Sequence, residues 1–107
     1  MPRFVILEHD HPELHWDLML ETGTVLRTWR LAQPPTAGGA VAAMALADHR
    51  LHYLDYEGPV SGGRGTVRRW DCGEYEEGDG GTFNLRGARV HGKARLTRGD
   101  GDVWTFE

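Results

Sequence analysis

The chain has 107 residues, which is enough for one hydrophobic core but too few for two. Its formal net charge of -4 argues against a strong, sequence-independent grip on nucleic acid, because that mode of binding normally requires a basic surface. Cys72 is the only cysteine, no apolar run approaches the ~20 residues that span a membrane, and the first residues lack the apolar region of a secretory signal. We therefore expect one cytoplasmic domain over residues 1–107, with no disulfide and no membrane segment.

The first third of the chain predicts short strands joined by turns. The apolar run Phe4–Leu7 is predicted to be a buried strand that ends at the polar segment 10–12. Leu14–Glu21 alternates strictly between two faces, which predicts a second strand. Thr22-Gly23 favours a turn, and Val25–Leu31 is the expected hairpin partner of the second strand.

The middle of the chain is harder to assign. The prolines and glycines of Ala32–Gly39 and of Gly58–Gly65 predict two loops. The alanines of Ala40–Ala47 favour a helix by propensity, whereas the neighbouring predicted strands favour a strand, which is the assignment we prefer. His49–Tyr56 has a mixed polar and aromatic pattern that is compatible with a helical turn.

Five short strands are predicted in the second half of the chain: Thr66–Trp70, Glu74–Glu76, Thr82–Arg86, Lys93–Thr97 and Val103–Phe106. Glycine-containing turns separate them, and one of these turns is expected at Cys72-Gly73. Closely spaced short strands of this kind are typical of a small antiparallel barrel or sandwich.

Three side chains near the first two strands have the chemistry of a divalent metal site. His15 and Asp17 share one face of the predicted second strand, and His9 lies across the preceding bend. Histidine nitrogen and carboxylate oxygen are ligands that borderline metals accept, and three of them leave positions open for water or substrate. The alternative is that His9 and His11 are solvated loop residues while His15 packs beside Trp16.

His49 and Tyr53 form a second candidate pair. Four residues apart on a helical turn, they would share a face and offer a proton donor or acceptor beside a phenol. The alternative is a pair of ordinary surface residues. In the glycine-rich loop, backbone N–H groups and Arg64 would suit an anion, although a hairpin connection explains the glycines equally simply. The loop lacks the lysine and the following helix of a P-loop.

Seven motifs follow one another along most of the chain: Phe4–His9, Leu14–Glu21, Asp48–Tyr53, Tyr56–Gly58, Gly65–Tyr75, Gly81–Gly87 and Val90–Leu96. In this order they resemble the 3′-phosphoesterase domain of bacterial DNA ligase D, a multi-domain end-joining ligase. The resemblance implies an all-β fold, a small single-domain antiparallel β-barrel with short helical turns. It also implies a concave active site that trims 3′ ends of nucleic acid, removing a terminal ribonucleoside and then the remaining 3′-phosphate.

The resemblance further implies roles for individual residues. The family's metal ligands match His9, His15 and Asp17, and the histidine and tyrosine that act at the phosphate match His49 and Tyr53. The implied cofactor is a divalent metal, manganese with zinc as the alternative. The implied partners are nucleic-acid 3′ ends and a separate end-joining ligase or polymerase.

Three positions depart from the family's pattern. Met19 stands where the family has an arginine, two residues after the metal-binding aspartate, and that arginine would hold the phosphate through charge-assisted hydrogen bonds. Leu7 lies two positions before His9, where the family has a polar residue. Ala47 lies two positions before His49, where the family has an acidic residue. We expect Arg64 or Arg50 to take over the contact with the substrate.

These observations leave three hypotheses. In the first, the metal ligands meet inside a barrel mouth, and the protein is a metal-dependent phosphoesterase that acts on nucleic-acid 3′ ends. In the second, it is a metal- or nucleic-acid-end-binding module that has lost catalysis, which Met19 and the acidic net charge favour. In the third, it is a small cupin-like metalloenzyme with a non-nucleotide substrate, which gives the later motifs no role.

Overall fold

Eight antiparallel strands close into a β-barrel, and a ninth, very short strand lies beside it. The computed structural model covers residues 1–107. The strands are β1 (Arg3–His9), β2 (His15–Thr22), β3 (Val25–Leu31), β4 (Ala40–Arg50), β5 (Gly58–Pro59), β6 (Thr66–Glu77), β7 (Thr82–Gly87), β8 (His91–Thr97) and β9 (Asp102–Phe106). Around the barrel their order is β1-β2-β3-β4-β9-β8-β7-β6, and pairing of β1 with β6 closes the ring. The prediction of an all-β barrel is therefore confirmed.

One residue in two along the barrel strands points into the interior, where fifteen buried residues form the main core. Trp104 is fully buried at its centre. The rings of Phe83 and Trp29 lie 5.0 and 5.2 Å from it, centroid to centroid. Aromatic side chains bury about 150–250 Å² each, so these three supply a large part of the apolar area of a small core.

A second group of buried apolar residues, here called the outer cluster, lies on the opposite face of β1 and β2. It consists of Val5, Leu7, Met19, Leu26, Leu54 and Val67. Successive strand residues point to opposite faces, so Val5 and Leu7 project outward from the barrel wall while Phe4 and Ile6 fill the interior. Both faces of this part of the wall are therefore shielded from water.

Residues 51–65, here called the cover segment, lie over the outer cluster. They contain the 3-10 helix Leu51–Leu54, strand β5 and the glycine-rich loop that follows it. Leu54 belongs to the outer cluster, and Tyr53, Tyr56 and Val60 pack against it. The helix has only four residues, far fewer than a membrane-crossing helix would need.

An ion pair joins the cover segment to the barrel. Arg3, the first residue of β1, donates hydrogen bonds to both carboxylate oxygens of Asp55, at 2.6 and 3.4 Å. These hydrogen bonds hold the pKa of the Asp55 carboxyl below its usual value. The pair is exposed to water, so it fixes position more than it adds stability.

The turn predicted at Cys72-Gly73 is wrong, because β6 continues through it from Thr66 to Glu77. Gly73 pairs with Phe4 on one side and with Gly87 on the other. A Cβ atom at Gly73 would lie 2.1 Å from the carbonyl oxygen of Arg86. The glycine therefore permits a close approach of two strands and does not mark a turn.

Other predicted elements agree with the structure. The alanine-rich segment is a strand, and β4 extends it to Arg50. The predicted helical turn is confined to Leu51–Leu54, so His49 lies on β4 and not on the helix. β2 and β3 form the expected hairpin across Thr22-Gly23, and β1 pairs with the other edge of β2.

Candidate metal centre

The pairing of β1 with β2 brings His9 and His15 together. They are direct cross-strand partners, with ring centroids 4.8 Å apart. Asp17 lies two residues beyond His15 and so projects from the same face of β2. That face also carries Leu7 and Met19 of the outer cluster. The three side chains thus meet on the outer face of the barrel wall beneath the cover segment, and the expected position inside a barrel mouth is wrong.

The three side chains are close enough to share one ion. His15 Nε2 lies 3.2 Å from Asp17 Oδ1, and His9 Nδ1 lies 3.5 Å from Asp17 Oδ2. One ligand atom from each residue can be chosen so that all three lie within 4.8 Å of one another. The distances of 3.2 and 3.5 Å from the ring nitrogens to the Asp17 oxygens are those expected between ligand atoms that each lie about 2.1 Å from a common ion.

Backbone carbonyls fix the tautomers of both imidazoles. His15 Nδ1 lies 2.8 Å from the carbonyl oxygen of Glu13, and His9 Nε2 lies 2.7 Å from that of Arg64. A carbonyl oxygen only accepts hydrogen bonds, so these ring nitrogens carry the protons. In each neutral ring the other nitrogen keeps its lone pair and faces Asp17. Metal-bound histidines are oriented by hydrogen bonds of this kind.

The Asp17 carboxylate lacks the partners that its burial calls for. Its residue is only 4% exposed, and Oδ1 is buried without a hydrogen bond. His15 Nε2 lies 3.2 Å from this oxygen, but the geometry is not that of a hydrogen bond. A buried carboxylate is unfavourable unless it is paired or coordinates a cation. The residues present therefore fit a divalent metal.

Two cavities that share lining residues lie beside the candidate ligands. The inner one, about 80 Å³, is bounded by His9 and Asp17 and by Leu7 and Met19 of the outer cluster. The outer one, about 500 Å³, is here called the cleft and is formed by the end of β4 and the cover segment. Both are lined by His49, Tyr53, Val60 and Arg64. A ligand in the cleft would therefore reach the candidate metal centre through these four residues.

His49 and Tyr53 reach the inner cavity from different elements. His49 is the penultimate residue of β4. Its Nδ1 lies 2.8 Å from the carbonyl oxygen of Ala47, so its Nε2 is the unprotonated nitrogen of the neutral ring. Tyr53 belongs to the 3-10 helix, and its ring centroid lies 5.9 Å from that of His49. The two residues are thus neighbours, although they do not share the helical turn that the sequence suggested.

The two arginines that were expected at the substrate occupy different positions. Arg64 lines both cavities, and its guanidinium donates to the backbone and hydroxyl oxygens of Ser61. Arg50 lines only the cleft. Neither forms an ion pair with a carboxylate. Met19 is 2% exposed and lines the inner cavity, so the family's arginine at this position would have faced the candidate ligands.

Some contributors to the site were not predicted. The carbonyl groups of Glu13 and Arg64 orient the imidazoles, and sequence reasoning, which considers side chains, passes over backbone atoms. His52 and Tyr56 line the cleft together with Tyr53. The available signal was that both residues lie close to Tyr53 in the sequence, one position before it and three positions after it.

The fold and the site define a class of protein: a small closed β-barrel with two histidines and one carboxylate on its wall and an open cleft beside them. The chain belongs to the DNA ligase D 3′-phosphoesterase domain family, whose model matches residues 7–98. The resemblance described from the motifs is therefore confirmed.

Three relatives illustrate the similarity. The chain is 34% identical to the multifunctional non-homologous end joining DNA repair protein LigD of Mycobacterium tuberculosis strain H37Rv, over 94% of this chain and 15% of the relative. It is 31% identical to the multifunctional non-homologous end joining protein LigD of Pseudomonas aeruginosa, over 90% of this chain and 13% of the relative. It is 35% identical to the protein of the same name from Mycolicibacterium smegmatis, over 69% of this chain and 10% of the relative. The chain thus spans about 15% or less of the length of the relatives that it matches.

Proposed function

We propose that this protein is a metal-dependent phosphoesterase that removes a 3′-phosphate or 3′-ribonucleotide from nucleic-acid ends during DNA end repair. Membership of the 3′-phosphoesterase family suggests a role in processing 3′ ends. The observation that carries the proposal is the arrangement of His9, His15 and Asp17. Two lone-pair nitrogens, each fixed by a backbone carbonyl, face a buried carboxylate oxygen that has no hydrogen bond.

His9, His15 and Asp17 would hold the metal, and three protein ligands leave coordination positions for the substrate. Manganese is the proposed ion and zinc the alternative, since nitrogen and oxygen donors suit both. When bound, the ion would polarise a non-bridging phosphate oxygen and neutralise negative charge that develops in the reaction.

Other residues of the cavities would act on the phosphate directly. His49 Nε2 is turned away from the carbonyl partner of Nδ1, and in the doubly protonated ring it would donate a hydrogen bond or transfer its proton to a phosphate oxygen. The Tyr53 hydroxyl would donate a hydrogen bond to the phosphate. The Arg64 guanidinium, which no carboxylate neutralises, would supply the charge-assisted contact that Met19 cannot make. Nucleic-acid 3′ ends are the proposed ligands, and a separate end-joining ligase or polymerase is the proposed partner.

The test replaces one candidate ligand and a nearby histidine that is not part of the centre. His9→Ala should lose bound manganese and release of phosphate from a 3′-phosphorylated oligonucleotide. His11→Ala should keep both, because His11 is exposed and lies outside the cluster of ligands. Metal content would be measured by elemental analysis and folding by circular dichroism. If wild-type protein and His9→Ala bound equal manganese and released equal phosphate, the proposal would be wrong.

A binding module without catalysis is the second candidate, and a specific observation favours it. Met19 places a buried, uncharged side chain at the wall of the inner cavity, where the family has an arginine. The same assay separates the two candidates. Binding of 3′-phosphorylated DNA in manganese without release of phosphate would support the binding module, and turnover would exclude it.

A further inference from the structure

Three aromatic rings form a continuous group on the wall of the cleft. The ring of His52 lies against that of Tyr53, with centroids 4.1 Å apart and a tilt of 35°. Tyr56 completes the group at 5.6 Å from His52 and 5.9 Å from Tyr53. Tyr53 and Tyr56 pack against the outer cluster, whereas His52 is exposed to solvent. His52 thus adds an open aromatic surface that the fold does not need for its core.

The charges around these rings favour an anionic ligand. Arg50, Arg64 and two histidines line the cleft, and Asp48 is the only carboxylate among its lining residues. Neither arginine is neutralised by an ion pair. A concave site with a net positive charge raises the local concentration of anions even on a protein whose net charge is -4. Aromatic faces beside unpaired arginines are the combination that nucleotides bind.

We infer that the cleft binds the terminal nucleotide of a 3′ end, with its base stacked on the His52–Tyr53 rings and its phosphates held by Arg50 and Arg64. The inference rests on the proposed function and adds the part of the substrate that the cleft recognises. The cleft's volume of about 500 Å³ suits a ligand of this size. It shares His49, Tyr53 and Arg64 with the inner cavity, so a nucleotide stacked there has its 3′-phosphate directed toward His9 and Asp17.

Stacking makes a specific demand on the substrate. Every base has an aromatic face, so the site tolerates all four bases but not the absence of a base. The substrate pair that isolates this demand is an oligonucleotide with a normal 3′-phosphorylated terminal nucleotide and the same oligonucleotide with an abasic one. Both carry the same phosphates, so contacts with the arginines and with the metal centre are equal for the two.

The experiment measures binding of both oligonucleotides by fluorescence anisotropy without manganese, so that turnover does not remove the phosphate. The wild-type protein should bind the normal end at least about fivefold more tightly than the abasic end, in the range measured for base stacking on one aromatic side chain. His52→Ala should lose most of this preference, and His52→Phe should retain it. His91→Ala is the matched control, because His91 is exposed on β8 and does not line the cleft.

Failure of the inference and failure of the proposed function give different results. Equal binding of the two ends by the wild-type protein, or an unchanged preference in His52→Ala, overturns the stacking site. If manganese binding and phosphate release are nevertheless present, the proposed function stands without it. A base preference that depends on His52, in a protein that binds no manganese and releases no phosphate, supports the stacking site and overturns the proposed function.

Discussion

Asp17 has the least favourable surroundings of the three candidate ligands. Its carboxylate is buried, Oδ1 accepts no hydrogen bond, and the nearest ring nitrogens of His9 and His15 carry lone pairs in their neutral tautomers. Such an arrangement costs stability unless a cation binds between the three residues. On the proposal that these three residues hold a metal, the feature that destabilises the metal-free protein is also the one that would give the centre its affinity for a cation.

Asp17→Asn should make the unfolding temperature of the protein independent of manganese. Without manganese, the variant should unfold at a temperature equal to or above that of the wild-type protein, because an uncompensated carboxylate is replaced by a neutral group of the same shape. At 100 times the dissociation constant, manganese should stabilise the wild-type protein by about 2.7 kcal/mol and the variant hardly at all. In a domain of this size that corresponds to a shift of roughly 10 °C or more. Thermal unfolding followed by circular dichroism measures both effects.

The matched control for this prediction is Asp79→Asn, which changes a carboxylate in an exposed turn far from the centre. It should show the wild-type shift with manganese. Two outcomes would contradict the assignment of Asp17 as a ligand. In one, manganese does not change the unfolding temperature of the wild-type protein; in the other, it raises that of Asp17→Asn as much as that of the wild-type protein.

At the scale of elements, the site depends on the contact between the cover segment and the bend that joins β1 to β2. Gly65 lies in this contact with a φ of +77°, and a Cβ atom there would lie 2.2 Å from Asp10 Oδ1. Asp10 also accepts a hydrogen bond from the Thr66 amide at 2.8 Å. The neighbouring residue, Arg64, presents its carbonyl oxygen to His9. The tight contact at Gly65 thus positions the atom that orients one candidate ligand.

Gly65→Ala should weaken manganese binding by about tenfold or more, the usual cost of disturbing a group that orients a metal ligand. Gly63→Ala is the matched control. It lies in the same loop with a φ of +68°, but no atom lies within 4 Å of the position of its Cβ. Both variants should lose some stability because of the left-handed backbone, and only Gly65→Ala should lose metal affinity. Titration calorimetry with manganese chloride, giving equal affinities for the two variants, would contradict this coupling.

Most of the strands could be predicted because their alternation and their glycine turns are local signals. Gly73 misled the prediction, since a glycine that allows two strands to approach looks in sequence like a glycine that makes a turn. His49 was placed on a helical turn for a related reason. Its spacing from Tyr53 suits a helix, but pairing of β4 with β3 keeps His49 in an extended strand.

The metal candidates were predictable and their location on the molecule was not. Spacing on one strand put His15 and Asp17 on the same face, and that conclusion needs only the period of a strand. Which face lies inside the barrel is normally read from a contrast between apolar and polar residues. Here both faces are apolar, with Ile6 inside and Leu7 outside, because the cover segment buries the outer face as well. Only the tertiary structure resolves that choice.

At the scale of the whole molecule, the cleft holds two arginines that form no ion pair, Arg50 and Arg64. The other cations without an ion pair are dispersed outside the cleft: Arg30, Arg89, Lys93, Arg95 and Arg98. Arg3, Arg27, Arg68 and Arg86 are occupied in ion pairs elsewhere on the surface. The net charge of -4 gives no general attraction for nucleic acid. Binding through the cleft should therefore involve few phosphates, in contrast to proteins that hold nucleic acid along an extended basic surface.

This contrast predicts a shallow dependence of affinity on salt. Each phosphate contact with a single strand contributes about -0.7 to the slope of log affinity against log salt concentration, so contacts from Arg50 and Arg64 predict a slope of about -1.4. Arg50→Ala should reduce the steepness by about 0.7, while Arg95→Ala, an exposed arginine on β8 outside the cleft, should leave it unchanged. Anisotropy titrations at several salt concentrations measure the slope. A slope of about -4 or steeper, insensitive to Arg50, would mean that many dispersed charges hold the ligand and that the cleft does not.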